Sequence, residues 1–497
     1  MQELKRKLRH ANLSTINRWI VLSSGMFSSF MLLVLIPKEQ FVLRSISITL
    51  IASFCICHYL YRRYLKGLTL QADMIISIST LAQFLLPVFY LAPYYNTNPN
   101  MDIWNHRYGF ALTSFAVFLG QIMFFCGYES IRKGLNFPPV NKTLRHIKMG
   151  NMFIVLAPLI VLIWFSRIIL LQKGYYYQIH TSDFQFISPY FSVLAQLSRY
   201  GLIIVIALFV MVFLERDKKK QNRELSIAIL VFLIEIGWYI PSGSRGTLVL
   251  TVLGPIFAYI FITRRLPKKT IILILLLGIP ILSVLYSYRY VASQYFSVSE
   301  INLQKVPDAF LSALDRTEKE EKGSKVYGIM DRFYDGKNLT HLLIHYSHDY
   351  NYEFGATYKN ILYIFAPRLL YHNKPVFTTP LGKWYKLVGG GSTPITFWGE
   401  SYINFSWFGI IVCSYLLGVF MKCYDYVFIR NAHKPYWCFI YVFGAITILQ
   451  LPVEAFVIWV SYLTKFVMIA FILTYWYLIL KKSVSVEQRH LTIIKKL

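Results

Sequence analysis

Three histidines, His341, His345 and His348, recur at i, i+4 and i+7, so one face of a helix would present all three. An imidazole titrates near neutral pH and can act as a general base. The same spacing suits zinc ligands, but neither a cysteine nor a glutamate-bearing zinc motif accompanies it. A surface stripe beside Tyr346 and Tyr350 is the plainer alternative, and neither a metal nor a cofactor is expected. Glu400, after Gly399 at the head of an apolar run, is a second candidate base, or a partner for an arginine. Glu235 and Glu454 are weaker candidates of the same kind. The basic candidates are Arg245, Arg289, Arg332, Arg368 and Lys374, with Arg167 and Arg199 at the ends of apolar runs. Planar guanidinium groups match the oxygens of a diphosphate in bidentate geometry. Singly, each of them also reads as a side chain snorkelling to lipid headgroups.

Long apolar elements must position these groups. The chain has 497 residues, 56% hydrophobic and only 15% charged, where a soluble protein carries about 25% charged residues. Apolar runs of roughly 18–22 residues recur, the length of helix that crosses ~30 Å of hydrocarbon. They are continuous, which excludes the alternation of a membrane β-barrel. The pattern predicts an all-α polytopic membrane protein with about twelve spans, near 19–36, 41–60, 72–92, 108–127, 151–171, 189–214, 225–241, 247–263, 270–289, 396–420, 436–452 and 456–480. Residues 1–289 would hold the first nine, 290–395 a large loop with short amphipathic helices, 396–480 the last three, and 481–497 a tail.

Lysine and arginine orient the spans. With the N-terminus inside, the inner connections and tails hold thirty of them, and the short outer connections only Lys38, Arg44, Arg107, Lys173 and Arg245. Both termini are therefore expected in the cytoplasm and the large loop outside. The formal net charge of +27 is then mainly a topology signal facing anionic lipid, not a nucleic-acid footprint. The six cysteines, Cys55, Cys57, Cys126, Cys413, Cys423 and Cys438, avoid the loop, so no disulfide framework is expected. The first apolar run lacks a small-residue cleavage site and reads as an anchor. Within the loop, 326–348 reads as helical. The apolar stretch 358–365 is too short to span and reads as interfacial or re-entrant. Asn338-Leu339-Thr340 matches a glycosylation sequon by pattern alone.

Three stretches together resemble the Wzy-type oligosaccharide repeat-unit (O-antigen) polymerases of bacterial cell membranes. They are Ser242-Gly243-Ser244-Arg245-Gly246 at an outer turn, then Arg332-Phe333 followed by Pro367-Arg368 and Lys374-Pro375, then Gly399-Glu400 with Tyr402, Asn404-Phe405 and Gly409. The likeness covers roughly residues 225–420. Members often carry Trp-Pro before the Lys-Pro pair, where this chain has Tyr371-His372-Asn373, and Gly after Asn-Phe, where it has Ser406.

The resemblance implies a GT-C-like glycosyltransferase architecture in a bacterial inner membrane. It implies inverting, metal-independent transfer from an undecaprenyl-diphosphate-linked glycan to a second lipid-linked repeat unit. Donor and acceptor would be lipid-linked oligosaccharides in a setting of membrane lipid, and a chain-length regulator is admitted as a partner. Departure of a diphosphate needs its developing charge stabilised by preorganised cations; Arg245, Arg289 and Arg368 fit that role, with Arg332 and Lys374 binding beside them. His345, His348 and Glu400 are the candidate bases for the acceptor hydroxyl. An O-antigen ligase-like transferase and a flippase or transporter of lipid-linked sugars stay open beside this reading.

Overall fold

The computed structural model describes residues 2–65, 71–97, 106–131, 152–173, 189–263 (without 199, 216 and 240–244), 265–273, 334–363, 395–431 and 435–461, with isolated residues elsewhere. Among the described residues every regular element is helical and none is a strand. In chain order the helices are α1 (Gln2–Leu35), α2 (Phe41–Leu65), α3 (Ala72–Thr80), α4 (Val88–Thr97), α5 (His106–Ser130), α6 (Met152–Gln172), α7 (Pro189–Ser198), α8 (Gly201–Leu214), α9 (Lys218–Tyr239), α10 (Arg245–Thr263), α11 (Gly336–Asp349), α12 (Ala356–Lys359), α13 (Phe397–Arg430) and α14 (Pro435–Gln450). Six stretches are long and apolar enough to cross a bilayer: Arg18–Leu35, Lys38–Tyr64, Ala72–Thr97, Gly109–Ser130, Gly246–Thr263 and Phe397–Phe428. The chain is a polytopic membrane protein.

α5 and α13 form the central pair. Close approach requires the absence of side chains. A Cβ on Gly127 would lie 1.9 Å from the Tyr415 carbonyl oxygen, and one on Gly418 2.1 Å from that of Phe124. Around this crossing one core joins Tyr59 of α2, Ile75 of α3, Phe84 of the turn after α3, Phe118 of α5, Ile206 of α8, Tyr441 of α14 and Trp459 beyond it.

Several expected spans are interrupted, and each break has a local cause. Between α3 and α4 the chain makes a π turn over Leu81–Leu85, with the Leu86 amide bonded to the Leu81 carbonyl at 2.9 Å. Pro87 has no N–H to return to Gln83, four residues earlier. The Gln83 carbonyl instead accepts the amide of Asp335, from the loop, at 3.1 Å.

The expected single span 189–214 is two helices, α7 ending at Ser198 and α8 beginning at Gly201. The break holds an ion pair. Arg167 Nη1 and Nη2 donate to Glu235 Oε1 and Oε2 at 2.8 and 2.7 Å, and Nη2 and Nε donate to the Ser198 carbonyl at 2.9 and 3.1 Å. The cation thus caps the C-terminus of α7. The carboxylate lies beside Gly201, the first residue of α8, where a Cβ would sit 1.9 Å from Glu235 Oε2. Each charge faces the helix end of opposite partial charge. Trp164 and Trp238 cover the guanidinium, its carbon 4.8 and 4.6 Å from the ring centroids. Arg167, expected at an outer rim and open to a phosphate, is completely buried and engaged.

Candidate functional site

The described part of the loop, Tyr334–Tyr363, is held on the bundle at two places, and both use backbone groups that helix breaks leave free. The first is the Gln83 carbonyl. Beside it α11 lies on α5, with Thr340 Oγ1 2.7 Å from Thr113 Oγ1 and 3.3 Å from the Tyr334 hydroxyl. α11 turns Leu339, Leu342, Leu343 and Tyr346 inward. The sequon residues Asn338 and Thr340 are also buried, which removes them as a glycosylation acceptor.

The second place is a break inside α13. Phe405 (φ −142°, ψ 20°) and Ser406 (φ 57°, ψ −149°) leave the helical region, so the carbonyls of Ile403 and Asn404 lose their partners one turn ahead. The amides of Glu353 and Phe354 donate to them at 2.9 and 3.1 Å. Residues 353–356 form a turn closed by the Ala356 amide on the Glu353 carbonyl at 2.9 Å. Both central residues have positive φ, Phe354 at 43° and Gly355 at 87°, as a type I′ turn requires. The turn grips Asn404 from two sides. Asn404 Oδ1 accepts the Gly355 amide at 2.9 Å, while Nδ2 donates to Thr357 Oγ1 at 2.7 Å and to the Glu400 carbonyl at 2.8 Å. Across the break, a Cβ on Gly409 would fall 2.0 Å from the Ser401 carbonyl oxygen. Tyr352 donates its hydroxyl to Ser406 Oγ at 3.1 Å.

Glu400 completes this node. Its carboxylate accepts the amides of Phe456 and Val457 and the hydroxyl of Thr357. It caps the segment that follows α14, and only 1% of the residue is exposed. Among the described residues no arginine pairs with it, so the expected Arg partner is replaced by backbone amides. Glu235, by contrast, does pair with an arginine, as Arg167 shows.

His341 and His345 are not among the fully buried residues of α11. The His341 and His345 rings lie side by side, centroids 4.5 Å apart and tilted by 42°, and both residues are half-buried. His348 lies in α11, but its side chain is outside the described residues. Among the described residues no group of three His, Cys, Asp or Glu could hold a metal. Arg245 opens α10, with its side chain outside the described set, and Arg289, Arg332, Arg368, Lys374 and Arg199 lie outside it altogether.

Two acids lie beside the first docking place: Glu454, a weaker candidate of the same kind as Glu400, and Asp335, which the sequence does not mark. Burial pushes Asp335, just before α11, up to about 7, with Lys337 opposing and Glu454 adding like-charge repulsion. Glu454, in the turn after α14, is pushed up to about 7 by burial. Both remain partly exposed. Neither carries a motif; only the folding of the loop against that turn puts them in range.

A second polar centre, at the opposite end of the same helices, was not foreseen either. Asp425 of α13 accepts the hydroxyls of Tyr128 at 2.5 Å and Tyr441 at 2.8 Å and the Ala72 amide at 3.1 Å. Asp73 of α3 pairs with Arg63 Nε at 2.8 Å and accepts the Tyr59 hydroxyl at 2.9 Å. Both acids are wholly buried. Their signal in the sequence is slight: single acids at the margins of apolar runs, close to basic clusters. The centre supplies an N-cap for α3, whose own N-cap residue Gln71 makes no capping bond, and ties together α2, α3, α5, α13 and α14. Compared with protein-family models, with curated proteins and with solved structures, the chain matches none.

Proposed function

We propose that the chain is a membrane glycosyltransferase that polymerises undecaprenyl-diphosphate-linked oligosaccharide repeat units at the extracytoplasmic face of a bacterial inner membrane. On this reading it has twelve spans, a GT-C-like architecture and both termini in the cytoplasm. Transfer is inverting and metal-independent. Arg245, Arg289 and Arg368 neutralise the diphosphate leaving group, Arg332 and Lys374 bind the same glycolipid, and a base among His345, His348 and Glu400 serves the acceptor hydroxyl.

The observation that carries the reading is the grip on Asn404. Within the stretch Gly399-Glu400, Tyr402, Asn404-Phe405 and Gly409, which carries part of the resemblance, three residues have specific jobs in one device. Asn404 holds the loop turn, Glu400 caps the next segment, and Gly409 admits the Ser401 carbonyl. Ser406 stands where polymerases of this kind often have glycine, and it adopts a φ of 57°, which favours glycine. The held segment lies in sequence between Arg332 and the Arg368–Lys374 stretch. The excess of lysine and arginine on the other connections supports the sidedness.

The test is separate replacement of Arg245 and Arg368 by Ala and by Lys in a strain lacking the native gene. Long-chain polysaccharide should be lost while membrane levels of the protein stay normal. Retained banding in both Ala variants defeats the assignment. One observation favours a second reading, a transporter of lipid-linked sugars: discontinuous helices with buried charges, as at Arg167–Glu235, are common in transporters. Loss of a transporter would strand single lipid-linked repeat units on the cytoplasmic leaflet. Loss of a polymerase would leave them on the outer one.

A further inference from the structure

We infer that the segment Phe354–Tyr363 is seated in the membrane itself, at the boundary between headgroups and hydrocarbon on the loop side, with phospholipid as its partner. This goes beyond the glycosyltransferase reading and does not depend on it.

Depth is the first argument. The segment is bonded to Ile403 and Asn404 of α13, and Asn404 lies seven residues inside the apolar stretch that begins at Phe397. At about 1.5 Å per residue that is roughly 10 Å below the loop-side end of the helix. The stretch Phe397–Phe428 has 32 residues. Its straight length of about 48 Å exceeds the ~30 Å of hydrocarbon by roughly 9 Å at each end. Asn404, and the turn that grips it, therefore fall at the hydrocarbon boundary.

The segment is also two-faced in the way such a position demands. Thr357 and Asn360 are buried toward the protein, whereas Phe354 is 76% and Leu362 77% exposed, with Tyr363 exposed beside them. Lys359 is exposed in the same short stretch. Large apolar side chains with a tyrosine and a lysine at their edge suit the boundary, where the rings and alkyl groups enter the acyl region and the ammonium meets lipid phosphate.

The backbone supplies an independent argument. Phe354 holds a φ of 43°, an outlier for a bulky residue. Strain of that kind persists only where the surroundings over-determine it. Here the two amides on Asn404 fix the turn, and the result is a phenyl ring directed out of the protein.

The test uses the full chain with its six native cysteines replaced, reconstituted in phosphatidylcholine–phosphatidylglycerol vesicles. Single cysteines are placed by Phe354→Cys, Leu362→Cys and, as a reference, Asn351→Cys, and each is labelled with a polarity-sensitive fluorophore. Labels at 354 and 362 should be quenched by spin-labelled lipid and should resist aqueous iodide several-fold better than the same dye free in water. Iodide quenching equal to that of the free dye, without lipid quenching, overturns the inference. Protection from both quenchers also overturns it, because protein would then cover the segment. Leu362→Cys keeps the test decisive if the Phe354 variant fails to fold.

Discussion

Replacing Asn404 with alanine should release the loop turn from α13 without unfolding the bundle. The substitution removes three side-chain hydrogen bonds, to the Gly355 amide, to Thr357 and to the Glu400 carbonyl. The other contacts survive: the Ile403 and Asn404 backbone carbonyls still accept the Glu353 and Phe354 amides, the Tyr352 hydroxyl still reaches Ser406, and Thr357 still has the Glu400 carboxylate. Only the bonds to Gly355 and Thr357 join the turn to α13; each is worth about 1 kcal/mol net, and the Gly355 amide left without a partner adds a further penalty of about 1 kcal/mol, so the docked turn loses roughly 3 kcal/mol. That corresponds to about a hundredfold rise in the undocked population. Hydrogen exchange followed by mass spectrometry reads this directly. Peptides covering 353–357 should exchange about a hundredfold faster, while those of α5 and the second half of α13 stay unchanged. Unaltered exchange at 353–357 refutes the grip. Ser406 provides the matching control: Ser406→Gly should dock the loop as well as the parent. Ser406→Val, β-branched at positive φ, should undock it by about 2 kcal/mol or more. If the glycosyltransferase reading holds, Asn404→Ala should also shorten the glycan ladder.

The buried pair gives a second expectation. Arg167→Met or Glu235→Leu alone leaves an uncompensated charge in the bundle and should cost about 3–5 kcal/mol, whereas the double replacement should recover most of that loss. Thermal unfolding in detergent checks it, and additive losses would show that the two side chains do not act as a pair. The acids at the first docking place predict a pH effect. The folded-state values of Asp335 and Glu454 are raised to about 7, so the folded protein holds protons that the unfolded chain has already released. Docking of α11 should therefore be strongest in acid, weaken as pH rises from about 4 to 7, and level off above. Asp335→Asn should flatten that profile, measured as proteolytic nicking of the loop between pH 4 and 8. A parent profile that strengthens with pH would contradict the sign.

What the sequence determined by itself is the part governed by local composition. Apolar runs matched to bilayer thickness make helices, since a backbone in hydrocarbon must bond to itself. A proline marks where such a helix loses a backbone donor, but the partner that takes over the freed backbone group is remote in sequence. Nothing near Pro87 names Asp335 as the donor to Gln83, and nothing near Ser406 names Glu353 and Phe354. The same holds for charge. Arg167 and Glu235 lie 68 residues apart and each alone reads as a rim group. Only folding showed that they neutralise each other inside the break between α7 and α8. Asp73 and Asp425 likewise became one polar centre through the packing of α3 beside α13. Tertiary structure decided these matters because a freed carbonyl or a buried charge must find a partner wherever the fold brings one within hydrogen-bonding distance, and that distance is not encoded by spacing along the chain.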